Sequence, residues 1–152
     1  MRPDFVEYLK GLGMGDVLVE RVESIERSVL AVCPEDTLDL FVGEYIDEDG
    51  NRQYEKVFFF TNHYVVESRD FKNTNQFEID YVRGSIINLK VTADSFDFLQ
   101  PTDQSRLNVQ HYATGELRAE FKASRENCSH LLEIVRRYLV PNLGATTEEM
   151  AQ

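Results

Sequence analysis

The sequence predicts an α+β fold: a seven-stranded antiparallel bent sheet or partly open barrel, capped by a C-terminal helix, with an N-terminal helical extension. Three observations carry this prediction. Apolar residues alternate with a period of two through much of residues 37–123. Short turn-forming stretches separate these runs. On either side of this region, the apolar residues recur with the period of an amphipathic helix.

The N-terminal extension contains two predicted helices. The first is short and runs from Asp4 to Lys10, before a glycine-rich stretch. The second follows Asp16, a candidate N-cap, and has one apolar face: Leu18, Val22, Ile25 and Val29. Leaving such a stripe in water is costly, so we expect it to pack on the chain's own sheet. The alternative is a homodimer that buries the same stripe.

The first predicted hairpin joins "TLDLFVGEYI" to the strand after "DEDGNR". Asp-Gly between alternating runs is typical of a type I′ turn, so Asp49 and Gly50 are predicted to be its central residues. This register pairs Tyr45 with Tyr54, Val42 with Val57 and Phe41 with Phe58. The same acids do not form a calcium loop, because an EF-hand starting at Asp47 would need glycine at Arg52 and glutamate at Phe58.

The stretch "VFFFTNHYVVESRDF" predicts the second hairpin. Asn62 and His63 are its predicted central pair, which places Phe60 opposite Val65 and Phe59 opposite Val66. Asn62 is expected to have a positive φ, since asparagine tolerates that conformation. His63 is interpreted as a turn residue, and the phenylalanines as core residues rather than a ligand cage.

The remaining strands are predicted in "FEIDYV", "SIINLKVTADSFDFL", "RLNVQHYA" and "LRAEFKA". A C-terminal helix follows, with Ser124 as its predicted N-cap and Pro141 at its end. Its apolar stripe is Cys128, Leu131, Leu132, Val135, Tyr138 and Leu139. The predicted organisation is therefore a helical extension over 1–36, one domain over 37–143 and a disordered tail over 144–152.

The formal net charge is −11, which disfavours binding to nucleic acid or to an anionic membrane surface. Acids without any intervening Lys or Arg fill the region between Arg27 and Arg52: Glu35, Asp36, Asp39, Glu44, Asp47, Glu48 and Asp49. This group, the acidic face, is either a solvated surface or a docking surface for a basic partner. A basic cluster of unassigned role lies later in the chain: Arg118, Lys122, Arg125, Arg136 and Arg137.

The sequence carries no motif that predicts catalysis, a cofactor or a metal site. "GLGMGD" lacks both the dinucleotide spacing and the Lys-Ser/Thr of a phosphate loop. His63, His111 and His130 are scattered over a turn, a strand and a helix. Cys33 and Cys128 are far apart, so we expect reduced, buried thiols in a cytoplasmic protein. The N-terminal segment has no long apolar run, so no signal peptide is expected.

The order of strands and C-terminal helix resembles the pleckstrin-homology-like superfold, in particular its GRAM-like and bacterial branches. The resemblance rests on "VFFFTNHYVV", a strand, a short turn and a second apolar strand, and on "FEIDYVRGSIINLKV", a following strand pair. It covers about residues 37–143.

The resemblance implies a binding platform rather than an enzyme. Phosphoinositide-binding members use basic residues around the first hairpin loop, whereas this loop is "IDEDGNR". We therefore expect a non-catalytic protein-binding or self-association module that does not bind phosphoinositides. The alternative is a small acidic inhibitor, of the immunity-protein type, that neutralises a basic partner.

Overall fold

The computed structural model describes residues 1–81, 88–94 and 100–144. Three α-helices and seven strands lie in these ranges. The helices are α1 (Pro3–Gly11), α2 (Asp16–Val32) and α3 (Asn127–Ile134). The strands are β1 (Asp39–Ile46), β2 (Arg52–Phe60), β3 (Tyr64–Arg69), β4 (Glu78–Tyr81), β5 (Asn88–Asp94), β6 (Arg106–Ala113) and β7 (Glu116–Ser124). A π-helical turn (Val135–Leu139) and a 3₁₀ turn (Val140–Asn142) continue α3.

The α+β class and the order of strands followed by a helix are confirmed. The strands do not form one sheet, however. They form two antiparallel sheets, one ordered β1-β2-β3-β4 and the other β5-β6-β7. The described part of the chain forms no closed barrel. Residues 85–87 and 95–99 of the predicted strand segment "SIINLKVTADSFDFL" and the predicted tail from residue 145 onward lie outside the described residues.

The chain packs as two units. Unit 1 comprises Met1–Gly43 and Tyr54–Asp80. Unit 2 comprises Glu44–Gln53 and the described residues from Tyr81 onward. This grouping divides β1 and β2 between the units. The domain boundary expected after residue 36 stays a prediction.

The core of unit 1 forms between the N-terminal helices and the sheet. Proline in the first turn, Asp4 near the N-terminus and Lys10 near the C-terminus favour α1, which buries Phe5 and Leu9. The buried face of α2 consists of Val19, Val22, Ile25 and Val29, with Glu26. These residues share one apolar cluster with strand residues such as Val57 and Phe59. The predicted packing of α2 on the chain's own sheet is thus confirmed.

Two details of α2 differ from the prediction. Leu18 lies at the margin of the buried face and Val19 inside it, so the face is rotated by about one residue. Asp16 is the first helical residue rather than the N-cap, and Gly15 occupies the cap position without a side-chain hydrogen bond. Asp16 therefore acts through its charge in the first turn, where the helix dipole favours an acid.

Strand β2 is central in its sheet and buried on both faces. Val57, Phe58, Phe59 and Phe60 are all inaccessible to solvent. Phe59 contributes to the cluster with the helices, and the Phe58 ring lies 6.0 Å from that of Phe41. The interpretation of these aromatics as core residues is confirmed.

The predicted β2–β3 register is also confirmed, with Phe60 opposite Val65 and Phe59 opposite Val66. The backbone of its turn is not as predicted, because Asn62 has no positive φ. The Thr61 hydroxyl oxygen accepts the N–H groups of His63 and Tyr64 at 3.3 and 3.0 Å. These side-chain contacts stabilise a turn in which neither central residue needs the left-handed conformation.

The β1–β2 turn differs from the predicted type I′ geometry. Gly50 has φ +82°, but Asp49 has no positive φ. The N–H of Asp47 donates to the Asn51 carbonyl at 2.8 Å, so three residues form the loop instead of two. At the other end, the N–H of Leu38 donates to the Phe60 carbonyl at 2.7 Å, so both ends lie one residue from the predicted register. Between these ends the predicted facing is retained, because the rings of Phe41 and Phe58 lie 6.0 Å apart and Val42 and Val57 belong to the same apolar cluster. The predicted pair Tyr45–Tyr54 stays a prediction.

Unit 2 contains the sheet β5-β6-β7, with helix α3 against β6 and β7. Strand β6 alternates strictly, with Leu107, Val109 and Ala113 among its buried residues. The buried apolar residues of α3 and its π turn are Cys128, Leu131, Ile134, Val135 and Leu139. Leu132 and Tyr138, which were predicted to belong to this stripe, are only half-buried. Ser124 is not the N-cap of α3: it ends β7, and Glu126 occupies the cap position.

The β6–β7 hairpin has the turn geometry predicted for the first hairpin. Ala113 lies opposite Glu116, and both intervening residues have positive φ, +51° at Thr114 and +80° at Gly115. This conformation is unfavourable for a β-branched residue. We expect Thr114→Asn to raise the free energy of unfolding by about 1 kcal/mol, measured by urea denaturation. Thr114→Val keeps the branch and serves as the control; equal stability of both variants would contradict the assignment of strain.

Candidate functional site

The most developed polar cluster of unit 2 surrounds the carboxylate of Glu44, which is 1% exposed. The Nε of Arg52 donates to its Oε2 at 3.2 Å. The backbone N–H of Ser124 donates to Oε1 at 2.5 Å, and the Ser124 hydroxyl contacts both carboxylate oxygens. The Nδ2 of Asn127 adds a longer contact to Oε1 at 3.3 Å. Glu44 is thus a buried charge that is both ion-paired and hydrogen-bonded, as burial of a carboxylate requires.

The cluster supplies hydrogen-bond partners for the backbone N–H and carbonyl of Ser124, at the end of β7. The N–H of Arg125 donates to Ser105 on the β6 side, so the peptide groups of Ser124 face away from β6. Glu44 accepts the Ser124 N–H, and Nη2 of Arg52 donates to the Ser124 carbonyl at 3.3 Å. One ion pair therefore replaces the hydrogen bonds that a neighbouring strand would supply.

The geometry around Glu44 suits a structural role better than a catalytic one. A hydroxyl beside a carboxylate is part of many nucleophilic sites, but Ser124 is fully buried and cannot contact a substrate. The nearby thiol of Cys128 is also buried, and burial together with the negative charge of Glu44 raises its pKa to about 11. Cys128 is therefore protonated at neutral pH and a poor nucleophile.

A cleft of about 340 Å³ in unit 2 includes Glu44 in its wall. Its other charged lining residues are Asp94, Arg106 and Lys122. The Nη1 of Arg106 donates to the carbonyls of Asp103 and Ser105 at 2.9 and 2.7 Å. The ammonium of Lys122 lies 3.7 Å from Glu120. Since internal groups already engage both cations, the cleft is a polar surface rather than an anion-binding pocket.

In unit 1, Glu35 binds the β2–β3 turn. Its Oε1 accepts the Thr61 hydroxyl at 2.7 Å and the His63 N–H at 3.2 Å, and its Oε2 lies 2.7 Å from His63 Nδ1. His63 lies in the turn, as predicted, but its side chain is not isolated there, because its ring is held by a carboxylate. The contact anchors the segment between α2 and β1 to the turn, 28 residues further along the chain.

The Glu35 contacts predict a dependence of stability on pH. The hydrogen bonds from Thr61 and then from the His63 side chain hold the pKa of Glu35 below its ordinary value of 4.5. A lowered pKa in the folded state means stabilisation that is present above pH 4.5 and lost as the pH falls through the folded-state pKa. We expect the thermal midpoints of wild type and Glu35→Gln to differ at pH 6 and to converge toward pH 3. A difference that stays constant over this range would contradict the linkage.

A second cleft, of about 330 Å³, lies in unit 1 between β3, β4 and the chain that joins them. Its lining residues are Glu67, Arg69, Gln76, Phe77 and Glu78. Glu67 is only 4% exposed, and its Oε1 contacts Lys56 Nζ at 3.3 Å and Arg69 Nε at 3.1 Å. Its neighbour Ser68 donates to the Gln76 carbonyl at 2.8 Å and so fixes the joining chain against β3.

The seven residues of the acidic face have different roles. Glu44 is buried, which corrects its assignment to an exposed docking surface. Glu35 binds the turn, and Asp39 accepts the N–H of the next residue, Leu40, at 2.9 Å. Asp47 accepts the N–H groups of Asp49 and Asn51, and the bond from Asn51 is the main reason that the pKa of Asp47 is lowered. The remaining members are exposed: Asp36 in unit 1 and Glu48 and Asp49 in unit 2.

The basic cluster is largely engaged by acids and carbonyls within unit 2. Lys122 lies near Glu120, and both Arg136 and Arg137 contact Glu133, at 3.3 and 3.4 Å. The Nη2 of Arg125 donates to the Gly50 carbonyl at 3.3 Å, and Arg118 is exposed on β7. These engagements reduce the charge that the cluster presents to an anionic ligand.

Sequence reasoning missed Arg52, Ser124 and Asn127 as partners of Glu44. One indication was present in the sequence: the period of two places Glu44 on the same side of its strand as Leu40 and Val42. A carboxylate on a core-facing side needs a donor, and Arg52 is the first cation after the acidic run. Ser124 lies 80 residues away from Glu44, and no local pattern connects the two.

Within the described ranges, no three His, Cys, Asp or Glu side chains come together as a metal site. Both cysteines are buried and free, as expected. None of the described helices has the length and apolar character needed to cross a membrane.

Comparison with known proteins finds no matching family model, no matching curated protein and no matching solved structure.

Proposed function

We propose that the protein is a non-catalytic module of the pleckstrin-homology-like type that binds a basic protein partner. The observation that carries this proposal is the acidic first hairpin loop, in which Glu48 and Asp49 are exposed. In phosphoinositide-binding members of the superfold, which this chain resembles, the same loop is basic. The reversed charge favours a cationic ligand and disfavours phosphate.

The hairpin loop is suited to binding because its backbone is fixed. The carboxylate of Asp47 accepts two backbone N–H groups, each at 2.9 Å, and the Gln53 side chain at 2.9 Å. Asp47 therefore holds the loop, while Glu48 and Asp49 remain exposed. A preorganised loop loses less conformational entropy when a partner binds.

The non-catalytic part of the proposal is supported by how the reactive groups are engaged. Ser124 and Glu44 bind each other in the interior, and Cys128 has a raised pKa. His63 is held by Glu35. These groups stabilise the fold, which leaves the exposed acids as the chemistry presented to a partner.

Charge reversal of the loop tests the proposal. A partner captured from the source cells, then purified, should be basic and should bind Glu48→Lys/Asp49→Lys about tenfold or more weakly than wild type. The matched control is Glu7→Lys/Glu20→Lys, which makes the same charge change at two exposed positions on α1 and α2. Equal weakening by both double variants would mean that only net charge matters and would overturn the role of the loop.

Binding to lipid gives a further expected result. We expect the protein to stay in the supernatant when phosphatidylcholine vesicles that contain about 5 mol% phosphatidylinositol bisphosphate are sedimented at physiological salt. The net charge of the protein is −11, which disfavours binding to an anionic headgroup. Saturable, headgroup-specific sedimentation would contradict the proposal and would point to the basic cluster as the site.

The second candidate is an acidic inhibitor of a basic toxin or enzyme, which the net charge of −11 favours. It predicts the same kind of partner with a different consequence. Stoichiometric addition of this protein should abolish the partner's activity, whereas a binding module leaves that activity intact. Measuring partner activity with and without the protein therefore separates the two candidates.

A further inference from the structure

We propose that strand β5 pairs with β5 of a second copy of this chain and so forms a symmetric antiparallel dimer. This proposal goes beyond the proposed function and does not depend on it. It concerns unit 2 alone, because β5, β6 and β7 all belong to that unit.

Strand β5 is exposed along almost its whole length. It lies at one edge of its sheet, next to β6, and no described strand pairs with its other edge. Six of its seven residues are exposed, and Leu89 is half-buried. Proline and β-bulges commonly protect an edge strand, but β5 has the sequence "NLKVTAD" and a continuous register with β6. Its outer edge is therefore open to pairing with another strand.

The hydrogen bonds of the sheet show which peptide groups of β5 point outward. Arg106 lies opposite Ser124. The N–H of the next residue, Arg125, donates to the carbonyl of Ser105 at 3.0 Å, so this bond flanks the pair. In an antiparallel ladder, the peptide groups of Arg106 then point toward β5, where they meet those of Asp94. Since the direction alternates, three residues of β5 direct their N–H and carbonyl groups away from β6: Leu89, Val91 and Ala93.

These three residues define a symmetric register for the dimer. A two-fold axis at Val91 places Val91 opposite Val91 of the second copy, and Leu89 opposite Ala93 of the second copy. Each pair then exchanges both of its N–H···O=C hydrogen bonds, so all outward peptide groups of these residues gain partners. A two-fold interface uses the same edge of both chains, so association stops at the dimer.

The apolar side chains of β5 support this pairing. Val91 lies opposite Val109, which in turn lies opposite Phe121, so the three side chains share one face of the sheet. Val109 and Phe121 are inaccessible to solvent, whereas Val91 is 49% exposed. The apolar face of the sheet thus ends at β5 with an uncovered side chain. A second β5 strand would continue this face and remove apolar surface from water.

The charges on the other face of β5 favour the same register. With the axis at Val91, Lys90 lies opposite Thr92 of the second copy and diagonal to its Asp94, within reach of a long side chain. An axis at Lys90 would place two ammonium groups directly opposite each other, which is unfavourable. An axis at Thr92 would leave the outward groups of Leu89 without a partner within β5. Only the axis at Val91 avoids both defects.

The dimer is expected to be weak. One pair of seven-residue strands buries less surface than the roughly 1,200–2,000 Å² of a stable interface. Repulsion is limited, because unit 2 contains nine basic and thirteen acidic residues, a net charge of −4 out of the −11 of the whole chain. We expect a dissociation constant of about 10–100 µM.

Sedimentation velocity of the intact protein is the first test. Between about 1 and 500 µM, the mass should change reversibly from one chain to two. A single-chain mass throughout this range would overturn the proposal.

Hydrogen exchange measured by NMR at both ends of this range tests the strand pairing itself. The amides of Leu89, Val91 and Ala93 should exchange about threefold or more slowly at the high concentration. Those of Lys90 and Thr92 should not change, because they already bond to β6. A dimer without this alternation would overturn the pairing through β5.

A matched pair of substitutions tests the position of the interface. Val91→Lys should raise the dissociation constant about tenfold or more, because two ammonium groups would lie directly opposite each other. Leu117→Lys is the control: Leu117 is on β7, is 50% exposed and undergoes the same change of charge. It should alter the dissociation constant by less than about twofold. Equal weakening by the two variants would overturn the β5 interface.

A mixture of two variants tests the register. Val91→Lys and Val91→Glu should each be monomeric alone, whereas an equimolar mixture should form the dimer again, since opposite charges then face each other across the axis. This recovery also shows that both variants are folded. A mixture that remains monomeric would overturn the axis at Val91.

Discussion

Replacement of Glu44 by alanine should lower the free energy of unfolding by about 3–5 kcal/mol, because the nearly buried guanidinium group of Arg52 loses its buried carboxylate partner and keeps only the exposed Glu126 as an ion-pair partner. The Arg52 side chain is only 10% exposed, so water does not readily replace the lost carboxylate. The change also removes the acceptor of the Ser124 N–H in a buried position. Urea denaturation followed by circular dichroism measures the effect.

Glu126→Gln is the matched control for this experiment. Glu126 contacts the same Arg52, at 2.8 Å, but its side chain is 60% exposed. Exposed ion pairs contribute little, so the control should change stability by less than about 1 kcal/mol. If both variants cost the same, the stability of unit 2 does not depend on the buried position of Glu44.

Deletion of residues 1–33 should produce an aggregating protein. The deletion removes α1 and α2 and exposes the sheet residues they cover, among them Val57, Phe59 and Val66. Burial of each such side chain contributes about 1.5–3 kcal/mol, so the loss exceeds the stability of an ordinary domain. Light scattering after size-exclusion chromatography and a thermal scan measure the outcome. A truncated protein that stays monomeric with an unchanged midpoint would show that the helices do not stabilise the sheet.

A pair of identical substitutions on α2 tests the same contact in the intact chain. Val22 is fully buried and Val17 is 75% exposed. Val22→Ala should destabilise the protein by about 1–2 kcal/mol, since a cavity is left, whereas Val17→Ala should stay within about 0.5 kcal/mol. Equal effects would mean that α2 does not use the observed face.

The sequence was sufficient for elements whose formation depends on local pattern. The register of β2 and β3 could be predicted because residues 57–60 and 64–66 are apolar runs on either side of a turn too short to permit another pairing. The burial of α2 could be predicted because an apolar stripe near a sheet has few other places to pack.

The errors arose where a distant side chain determines a local conformation. The turn at Asn62 avoids a positive φ because Thr61 and, from outside the hairpin, Glu35 accept its donors. Ser124 had the composition of a helix cap, but Glu44 binds it within β7. Neither partner could be identified from spacing, since the two contacts span 28 and 80 residues.

The candidate sites were harder to predict than the fold. Glu67 is a strand residue of ordinary appearance in the sequence, and only the structure shows that it is nearly buried and contacts both Lys56 and Arg69. The acidic face was predicted from composition, but the roles of its members depend on burial and on local hydrogen bonds. Glu44 and Glu48 are four residues apart, and one is buried while the other is exposed.

The ion pair between Glu44 and Arg52 at the end of β7 also hinders the addition of a further strand to this edge of the sheet. An unprotected strand edge offers its N–H and C=O groups to any extended segment, and this is how sheets grow into fibrils. At Ser124 both groups already have partners, the N–H with Glu44 and the carbonyl with Arg52. An incoming strand would have to displace a buried ion pair before it formed its first hydrogen bond there, so this end of β7 is closed to fibril growth.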